Sequence, residues 1–257
     1  MSDLFSLDGK VALVSGGSQG IGLMIARGLV EAGAMVYIAS RKADACERAA
    51  AELSSQGRCI ALPADLSSEH EIKRLALELG KRAPALHVLV NNAAAAWAAP
   101  IESYPAEAWD KVLALNVKGV FLLSQACLPL LKAGARQRDP ARIINIGSID
   151  GLRVTEFETY AYTASKAAVH HLTRVLAQRL GRDNVTVNAI APGPFPSKMT
   201  AVMLDEQGEQ MRRKSPLGRI GEPDDMAGIA VFLASRASAF VTGQVIAVDG
   251  GMSTRPW

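Results

Sequence analysis

Two side chains with acid–base chemistry, Tyr162 and Lys166, lie four positions apart in the segment TYAYTASKAAVHHLTRVLAQRL. The segment contains no proline, which predicts a helix from about Thr159 to Leu180. Positions i and i+4 share one face of a helix, so the phenol and the ammonium point into the same space. A cation about 4 Å away contributes about 4 kcal/mol at an effective dielectric near 20, so we expect Lys166 to lower the phenol pKa from about 10 to roughly 7 or 8, before desolvation is counted. Such a tyrosine would exchange protons near neutral pH, although these two residues alone also fit an ordinary surface pair.

A glycine-rich turn near the start of the chain is typical of a phosphate-binding site. The apolar run Lys10–Val14 predicts a strand, and a stretch with apolar residues at helical spacing follows the turn Ser15-Gly16-Gly17-Ser18-Gln19-Gly20-Ile21-Gly22. Glycines at a strand's end let backbone N–H groups approach a pyrophosphate, and the helix N-terminus adds partial positive charge. An ordinary glycine-rich turn is the alternative. The second predicted strand, Met35–Ala39, favours dinucleotide binding.

The end of that second strand predicts NADPH rather than NADH. A site that discriminates for NAD places Asp or Glu there to bind the ribose 2′-hydroxyl. This chain has Ser40-Arg41-Lys42 instead. Arg41 can bind a 2′-phosphate through two hydrogen bonds. The alternative is that these bases are solvated residues at the start of the next helix, a position that opposes the helix dipole.

Composition indicates one α/β domain over residues 1–257. The chain is 49% hydrophobic with a net charge of +3, which allows a large core and gives no case for a nucleic-acid surface. No apolar run approaches the roughly 20 residues that span a bilayer, and the N-terminus has no basic region typical of a signal peptide. Cys46, Cys59 and Cys127 have no metal-ligand spacing and the four histidines form no metal motif. We therefore expect a cytoplasmic protein with free thiols, no metal and no membrane partner.

Strand and helix patterns alternate along the chain. After the first two strands, further strands are predicted at Arg58–Leu62, His87–Asn91, Arg142–Gly147, Val185–Ile190 and Gln244–Val248. Helices are predicted between them, at Ala43 to about Ser55, Ser68–Lys81, Pro105–Lys132 and Pro223–Ser235. Seven alternating strands predict a Rossmann-type, doubly wound parallel sheet with helices on both faces. Ligands of such sheets lie beyond the carboxyl ends of the strands, where the polar residues of this chain recur.

The ordered motifs identify a resemblance to the compact, one-domain branch of the short-chain dehydrogenase/reductase family over the whole chain. They are SGGSQGIG, Asp65-Leu66, Asn91-Asn92-Ala93, Asn116 in LNV, Ser148 in NIGS, the Tyr162/Lys166 pair and Pro192-Gly193. The chain is most similar to bacterial NADPH-dependent 3-oxoacyl reductases, including those associated with rhamnolipid synthesis. The resemblance implies hydride transfer from NADPH to a ketone, most specifically a 3-oxoacyl thioester on a carrier protein or coenzyme A. Alternatives are an oxidoreductase acting on another hydrophobic ketone, a sugar or a steroid, in either direction, and a non-catalytic NADPH-binding regulator.

The resemblance also implies a role for each matching residue. Tyr162 protonates the carbonyl oxygen, Lys166 lowers the tyrosine pKa and holds the nicotinamide ribose, and Ser148 donates a hydrogen bond to the same carbonyl. Asn116 holds a water in a proton relay. By themselves, Ser148 could merely end a strand and Asn116 could merely bond nearby backbone. The implied cofactor-binding set comprises Gly16, Ser18, Gln19, Gly20, Ile21, Gly22, Ser40, Arg41, Lys42, Asp65, Leu66, Asn92, Ala93, Ala94, Tyr162, Lys166, Pro192, Gly193, Phe195 and Ser197.

Some positions depart from the family pattern. Ser15 and Ser197 replace threonines but keep the hydroxyl, Ala94 replaces a glycine, and Gln19 stands where many NADPH-dependent members have a base. Asp65, expected beside adenine, could instead cap the following helix.

We expect substrate contacts from three segments above the sheet, residues 95–101, 150–159 and 194–214, the last forming a lid. Apolar residues there, among them Phe195, Met199 and residues 202–204, suit an acyl or aromatic group, and ordinary packing is the alternative. The basic residues Lys132, Arg136, Arg138 and Arg182 could meet an acidic carrier protein or be scattered surface charge. The helix from Thr159 to Leu180 is apolar around most of its circumference and, with residues 240–257, predicts a homotetramer, with a dimer as second choice.

Overall fold

A seven-stranded parallel sheet forms the centre of the computed structural model, which describes residues 2–197 and 200–254. The strands have the order β3-β2-β1-β4-β5-β6-β7. The chain leaves β1 toward β2 on one side and returns to β4 on the other, which creates a switch point between the carboxyl ends of β1 and β4. The strands are β1 Val11–Ser15, β2 Met35–Ala39, β3 Arg58–Ala61, β4 Val88–Asn91, β5 Ala141–Ile146, β6 Val185–Pro192 and β7 Val245–Val248. The predicted fold class and all seven predicted strands are confirmed.

Nine α-helices are found in the described residues. They are α1 Ser2–Phe5, α2 Gly20–Glu31, α3 Ala43–Leu53, α4 Glu69–Arg82, α5 Ala106–Leu113, α6 Val120–Gly134, α7 Tyr160–Leu180, α8 Ala201–Lys214 and α9 Pro223–Ala234. The patterns did not predict α1 or α8. The side chains of residues 201–204 and 206 lie outside the description, as does Met199, so the apolar substrate contacts expected there are not described.

Alternate residues of the strands build the two layers of the core. Ala12 and Val14 pack with the buried sides of α2, α3 and α9. Val11 and Leu13 face the opposite way, into a second cluster with α4, α6 and α7. Because both faces of a parallel sheet are covered, its strands read as continuous apolar runs, which is why they could be found from sequence. The three cysteines are buried and free within these layers.

The helix predicted as one piece from Pro105 to Lys132 is interrupted by a π-helical segment, Ala114–Gly119. Asn116 lies in this segment and is 1% exposed. A π-bulge adds a residue to one turn and is frequent at functional sites. Here it turns the Asn116 amide out of the helical repeat toward the loop after β4, a contact that the helical spacing could not predict.

One helical stretch, residues 106–134, is long and apolar enough to cross a membrane by length and composition. The sequence pattern had indicated no such run. Leu123, Cys127 and Leu131 of α6 are buried against the sheet, which accounts for much of its apolar composition. The finding therefore fits a helix that covers the sheet.

The basic residues considered for a carrier protein lie far from the strand ends that carry the motifs. Lys132 lies in the last turn of α6 and forms an ion pair with Asp183 (2.9 Å). Arg136 donates to the carbonyls of Ala133 and Ala135. Both helices α6 and α7 run back to the amino ends of the strands, so these bases and Arg182 lie at the edge opposite Ser148. Their position favours the interpretation that they are ordinary surface charges over a role in binding a carrier protein.

Candidate active site

The glycine-rich turn leaves β1 at the switch point and has no room for a side chain at Gly16 or Gly22. Gly16 has φ +66°, and a β-carbon there would lie 2.7 Å from Asn92 Nδ2. A β-carbon on Gly22 would lie 2.3 Å from the Gly16 carbonyl oxygen. The turn therefore folds tightly onto the first turn of α2 and onto the end of β4, with its backbone open on the outer side.

Ser15 ties the ends of β1 and β4 together beneath this turn. Its hydroxyl donates to the Val90 carbonyl (3.1 Å) and accepts from the N–H groups of Asn92 (2.9 Å) and Ala93 (3.1 Å). The Asn92 amide donates in return to the carbonyl oxygens of Ser15 and Gly16. Asn92 thus shapes the turn from below, whereas Asn91 is buried and bonds Ser124 and Asn145 inside the fold.

The N-terminus of α2 fits an anionic group. Its N-cap residue, Gln19, is extended (φ −165°) and its side chain makes no capping hydrogen bond. The first turn contains no acidic residue. The first backbone N–H groups of a helix have no internal partner, and with the helix dipole they favour a phosphate. The residues at this end therefore fit a pyrophosphate.

Arg41 and Lys42 are exposed at the end of β2, where the sequence placed them. Asp65 follows β3. Burial alone would raise the pKa of its carboxyl group, but hydrogen bonds from the Ser67 N–H and hydroxyl, together with the charge of Arg41, lower it. The helix α4 is capped by Ser68, whose hydroxyl accepts from Glu71 N–H, so the capping alternative for Asp65 is wrong.

Ser148, Tyr162 and Lys166 meet beyond the end of β5. Ser148 is 6% exposed, and its hydroxyl lies near enough to Tyr162 to lower the phenol pKa. Lys166 Nζ lies 5.3 Å from the centroid of the Tyr162 ring and donates to the Ile146 carbonyl (2.8 Å). Tyr160, the neighbouring tyrosine, instead donates to Glu158 (3.3 Å) and packs edge-on against Tyr104. The structure therefore brings the predicted serine, tyrosine and lysine together and excludes Tyr160.

The predicted direction of the Tyr162 pKa is wrong for the protein alone. Burial raises the pKa of Tyr162 to about 12, and the nearby Asp150 charge adds to the rise. Burial also lowers the pKa of Lys166 to about 8. The lysine lies over the ring face and is bound to a backbone carbonyl, so desolvation outweighs its attraction for the phenolate. Tyr162 is thus a neutral phenol at physiological pH, which suits it to donate a proton.

Asn116 braces the site from the π-helical segment. Its side-chain oxygen accepts from Ala95 N–H (2.8 Å), and its amide donates to the Ala95 carbonyl (2.9 Å) and to Ser165 Oγ (3.0 Å). The Ser165 hydroxyl donates to the Tyr162 carbonyl (2.6 Å). The bonds link the loop after β4 to the helix that carries Tyr162. Ser165, which the motifs did not single out, is an essential part of this link.

The segment after β6 approaches the glycine turn. A β-carbon on Gly193 would lie 2.8 Å from Asp249 Cβ, so this glycine allows close contact with the end of β7. A β-carbon on Gly20 would lie 3.0 Å from Ser197 Cβ, which shows how near Ser197 lies to the turn. Ser197 Oγ and Thr200 Oγ1 are 2.9 Å apart, and Thr200 also donates to the Phe195 carbonyl (2.6 Å). Thr200 was not predicted as a site residue from the sequence.

Phe195 does not offer its ring to a substrate or cofactor. The side chain is 2% exposed and belongs to the core cluster. A β-carbon on Gly221 would lie 2.3 Å from the ring, so the ring fills the space that this glycine leaves. The expected contact of the Phe195 side chain with a substrate or cofactor is therefore wrong, because the apolar ring is buried in the core instead.

Comparisons with known proteins agree with this geometry. A family model described as enoyl-(acyl carrier protein) reductase matches residues 16–253. The chain is 51% identical over 253 residues to the rhamnolipids biosynthesis 3-oxoacyl-(acyl-carrier-protein) reductase of Pseudomonas aeruginosa, covering 98% of this chain and 99% of that protein. It is 38% identical over 255 residues to the 5-keto-D-gluconate 5-reductase of Escherichia coli strain K12, covering 98% of each.

Solved structures give the same result. The Pseudomonas aeruginosa RhlG/NADP active-site complex superposes with a TM-score of 0.96 at 49% identity, over 98% of this chain and 100% of that one. A short-chain type dehydrogenase/reductase from Mycobacterium marinum superposes with a TM-score of 0.92 at 31% identity, over 98% of this chain and 99% of that one. With the matching family model and the Ser148, Tyr162 and Lys166 geometry, these likenesses show that the chain belongs to the short-chain dehydrogenase/reductase family.

Proposed function

We propose that the protein is an NADPH-dependent carbonyl reductase whose substrate is a 3-oxoacyl thioester. The observation that carries the proposal is the meeting of Ser148, a neutral Tyr162 and Lys166 beyond β5, on the same edge of the sheet as the glycine-rich turn. The resemblance to the Pseudomonas aeruginosa reductase supports the substrate class. The intact set of polar groups argues against a regulator without catalysis.

The cofactor site is assigned to the groups left open at the switch point. The backbone of Gly16 to Gly22 and the start of α2 would hold the pyrophosphate, and Arg41 would bind the 2′-phosphate. Asp65 and Leu66 would lie on the adenine side, with Asn92, Ala93 and Ala94 beneath. The remaining assigned positions are Ser18, Gln19, Ile21, Ser40, Lys42, Pro192, Gly193, Ser197 and the Phe195 backbone. When bound, NADPH supplies the hydride.

The chain's own residues would bind and protonate the carbonyl oxygen of the substrate. The Ser148 hydroxyl and the Tyr162 phenol converge from two elements, so both can donate hydrogen bonds to one oxygen. Tyr162 is protonated at neutral pH and can give its proton to that oxygen as negative charge develops. Lys166, whose pKa is lowered to about 8, carries a positive charge in most molecules at pH 7 and would hold the ribose hydroxyls. Asn116 and Ser165 would hold the backbone of Tyr162 in position through their hydrogen bonds.

Apolar surface beside this site supports an acyl chain. Trp97 and Ile101 in one predicted substrate segment, and Leu152, Val154 and Phe157 in the next, are exposed large hydrophobic residues. The two segments are joined by a hydrogen bond from Ala99 N–H to the Glu158 carbonyl (3.2 Å). The third segment contains α8. Its last residue, Lys214, forms an ion pair with Glu156 of the second segment (2.5 Å). Apolar side chains on adjoining loops suit a hydrocarbon chain better than a polyol.

The test is a substrate panel followed by NADPH absorbance. It compares acetoacetyl thioesters of coenzyme A and of a purified acyl carrier protein with 5-keto-D-gluconate and a steroid ketone. We expect thioesters to have the highest kcat/KM, and the two carriers separate a protein partner from a small-molecule one. Preference for the sugar acid or the steroid would contradict the proposed substrate class, and the absence of turnover for every ketone would contradict the enzyme.

We further propose a cytoplasmic homotetramer that acts without a metal. Val175 on α7, Phe121 on α6 and Trp109 on α5 are each more than a third exposed, and Phe240 is fully exposed. Apolar side chains uncovered on neighbouring helices favour burial by another copy of the chain. The C-terminal residues 255–257, also expected at this surface, lie outside the described residues. No group of three metal-ligating side chains occurs within the described ranges.

A further inference from the structure

A buried histidine that takes no part in the proposed reaction lies beneath Ser148. His170 is one helical turn beyond Lys166 on the same face of α7, and it is 2% exposed. A β-carbon on Gly147 would collide with its Nε2 and lie 2.6 Å from its Cδ2. A β-carbon on Gly151 would lie 2.9 Å from its Cε1. The imidazole ring therefore contacts the chain on both sides of Ser148.

The two glycines serve this close packing and not the course of the backbone. Neither has a positive φ, so other residues could adopt their backbone conformation. The three atoms nearest to a β-carbon on Gly147 all belong to the His170 ring. At Gly151 the backbone of Lys166 and Ala167 lies as near as the ring does. Gly147 thus lets the ring approach closely, and Gly151 lets the turn lie on α7.

Hydrogen bonds fix the chain just before Ser148. Lys166 donates to the Ile146 carbonyl (2.8 Å), and the Gly147 N–H donates to the Ile190 carbonyl of β6 (2.7 Å). These bonds hold the end of β5, and the ring that follows sets how far the next residues stand from α7. A displacement of about 1 Å in a group that acts on the reacting atoms can cost a factor of about 10² in rate.

We propose that His170 is a positioning residue for the reaction, because its ring supports the turn from Gly147 to Gly151 and thereby sets where the Ser148 hydroxyl meets the carbonyl oxygen. This inference rests on the proposed function, since it gives a role in the same site to a residue that does not touch the substrate. Removing one hydrogen-bond donor to a developing negative charge costs about 10²–10³ in kcat, which is the upper limit for an effect that passes through Ser148.

The test is a double-mutant cycle between His170→Ala and Ser148→Ala, with kcat measured on ethyl acetoacetate at saturating NADPH. His170→Ala should lower kcat by about tenfold or more and leave the NADPH affinity, measured by fluorescence titration, unchanged. In the Ser148→Ala background it should cause no further loss, because the group that it positions is already absent. His170→Gln, whose amide can reach the place of the ring Nε2, should retain most of the wild-type kcat.

His171→Ala is the control, since His171 is the next residue of α7 and is exposed. It should have the kcat of the wild type. An equal factor of loss from His170→Ala in both backgrounds, or a parallel loss of NADPH affinity, would overturn the inference. Either result would mean that the ring supports the fold in general and does not act through Ser148.

A second pair of variants covers the case in which removing the ring weakens the fold. Gly147→Ala places a methyl group against the ring and should lower both kcat and the free energy of unfolding in urea. Adding His170→Ala makes room for that methyl group and should recover part of both, whereas additive losses would overturn the inference. Unfolding is measured without a substrate, so a protein that reduces no ketone would contradict the proposed function while this pair still tests the contact of the ring with the turn.

Discussion

Arg41 provides a direct test of how the end of β2 selects the cofactor. Replacing Arg41 with Ala removes the guanidinium proposed to bind the 2′-phosphate and leaves the exposed backbone after the strand unchanged. A hydrogen bond to a charged group contributes roughly 1.5–3 kcal/mol. Arg41 is exposed, and its charge already interacts with the Asp65 carboxylate, which follows β3. Both features reduce the net gain, so we take the lower end, about 1.5 kcal/mol, which corresponds to about a tenfold loss of NADPH affinity.

The assay is a fluorescence titration of NADPH and of NADH, together with kcat/KM for both cofactors on one ketone. NADH lacks the phosphate, so its binding to Arg41→Ala should match the wild type. Lys42→Ala is the comparison variant, because Lys42 is the adjacent exposed base of the proposed cofactor site, at the N-cap of α3, and Arg41 rather than Lys42 is proposed to bind the phosphate. It should change the ratio of NADPH to NADH affinity by no more than about twofold, as expected for an exposed charge.

Two results would refute this reasoning. An equal loss of NADPH and NADH in Arg41→Ala would mean that the side chain supports the turn and does not bind the phosphate. If Lys42→Ala weakens NADPH binding more than Arg41→Ala does, the 2′-phosphate is bound by Lys42 and not by Arg41. The wild type should favour NADPH by at least about tenfold in kcat/KM. Because position 19 is a glutamine and not a second base, we do not expect an absolute requirement for NADPH.

Three further predictions concern other parts of the molecule. Tyr162→Phe should lower kcat by a factor of ~10² or more and retain NADPH binding, whereas Tyr160→Phe, whose hydroxyl bonds the exposed Glu158, should lose far less; equal activities would contradict the assigned proton donor. His170 is buried, and burial lowers its pKa from 6.5 to about 4. As the pH falls, the histidine of the unfolded chain therefore binds a proton before the histidine of the folded chain does. The free energy of unfolding should fall between about pH 6.5 and about pH 4, by up to about 3 kcal/mol. Urea unfolding of His170→Gln should show a shallower dependence over that window, and an identical slope would rule the group out. Light scattering at micromolar concentration should give four times the chain mass, and a monomer would contradict the tetramer.

The sequence alone determined the sheet and the place of its motifs. Strands covered on both faces are continuous apolar runs, so β2 was predicted to the residue and the others within one or two residues. The Tyr162 and Lys166 pair followed from the repeat of a helix, which is a local property. Ser148 and the glycine turn followed from their places at the ends of apolar strands.

Tertiary structure decided whatever depended on residues distant in sequence. Asn116 bonds Ala95 and Ser165 only because a π-bulge turns it toward the loop after β4. Phe195 faces the core because Gly221, far along the chain, leaves space for its ring. The pKa of Tyr162 rises because burial outweighs a lysine whose ammonium binds a backbone carbonyl. Local spacing sets which side chains share a face, but the free energy of a charge or a ring depends on what the rest of the chain packs around it.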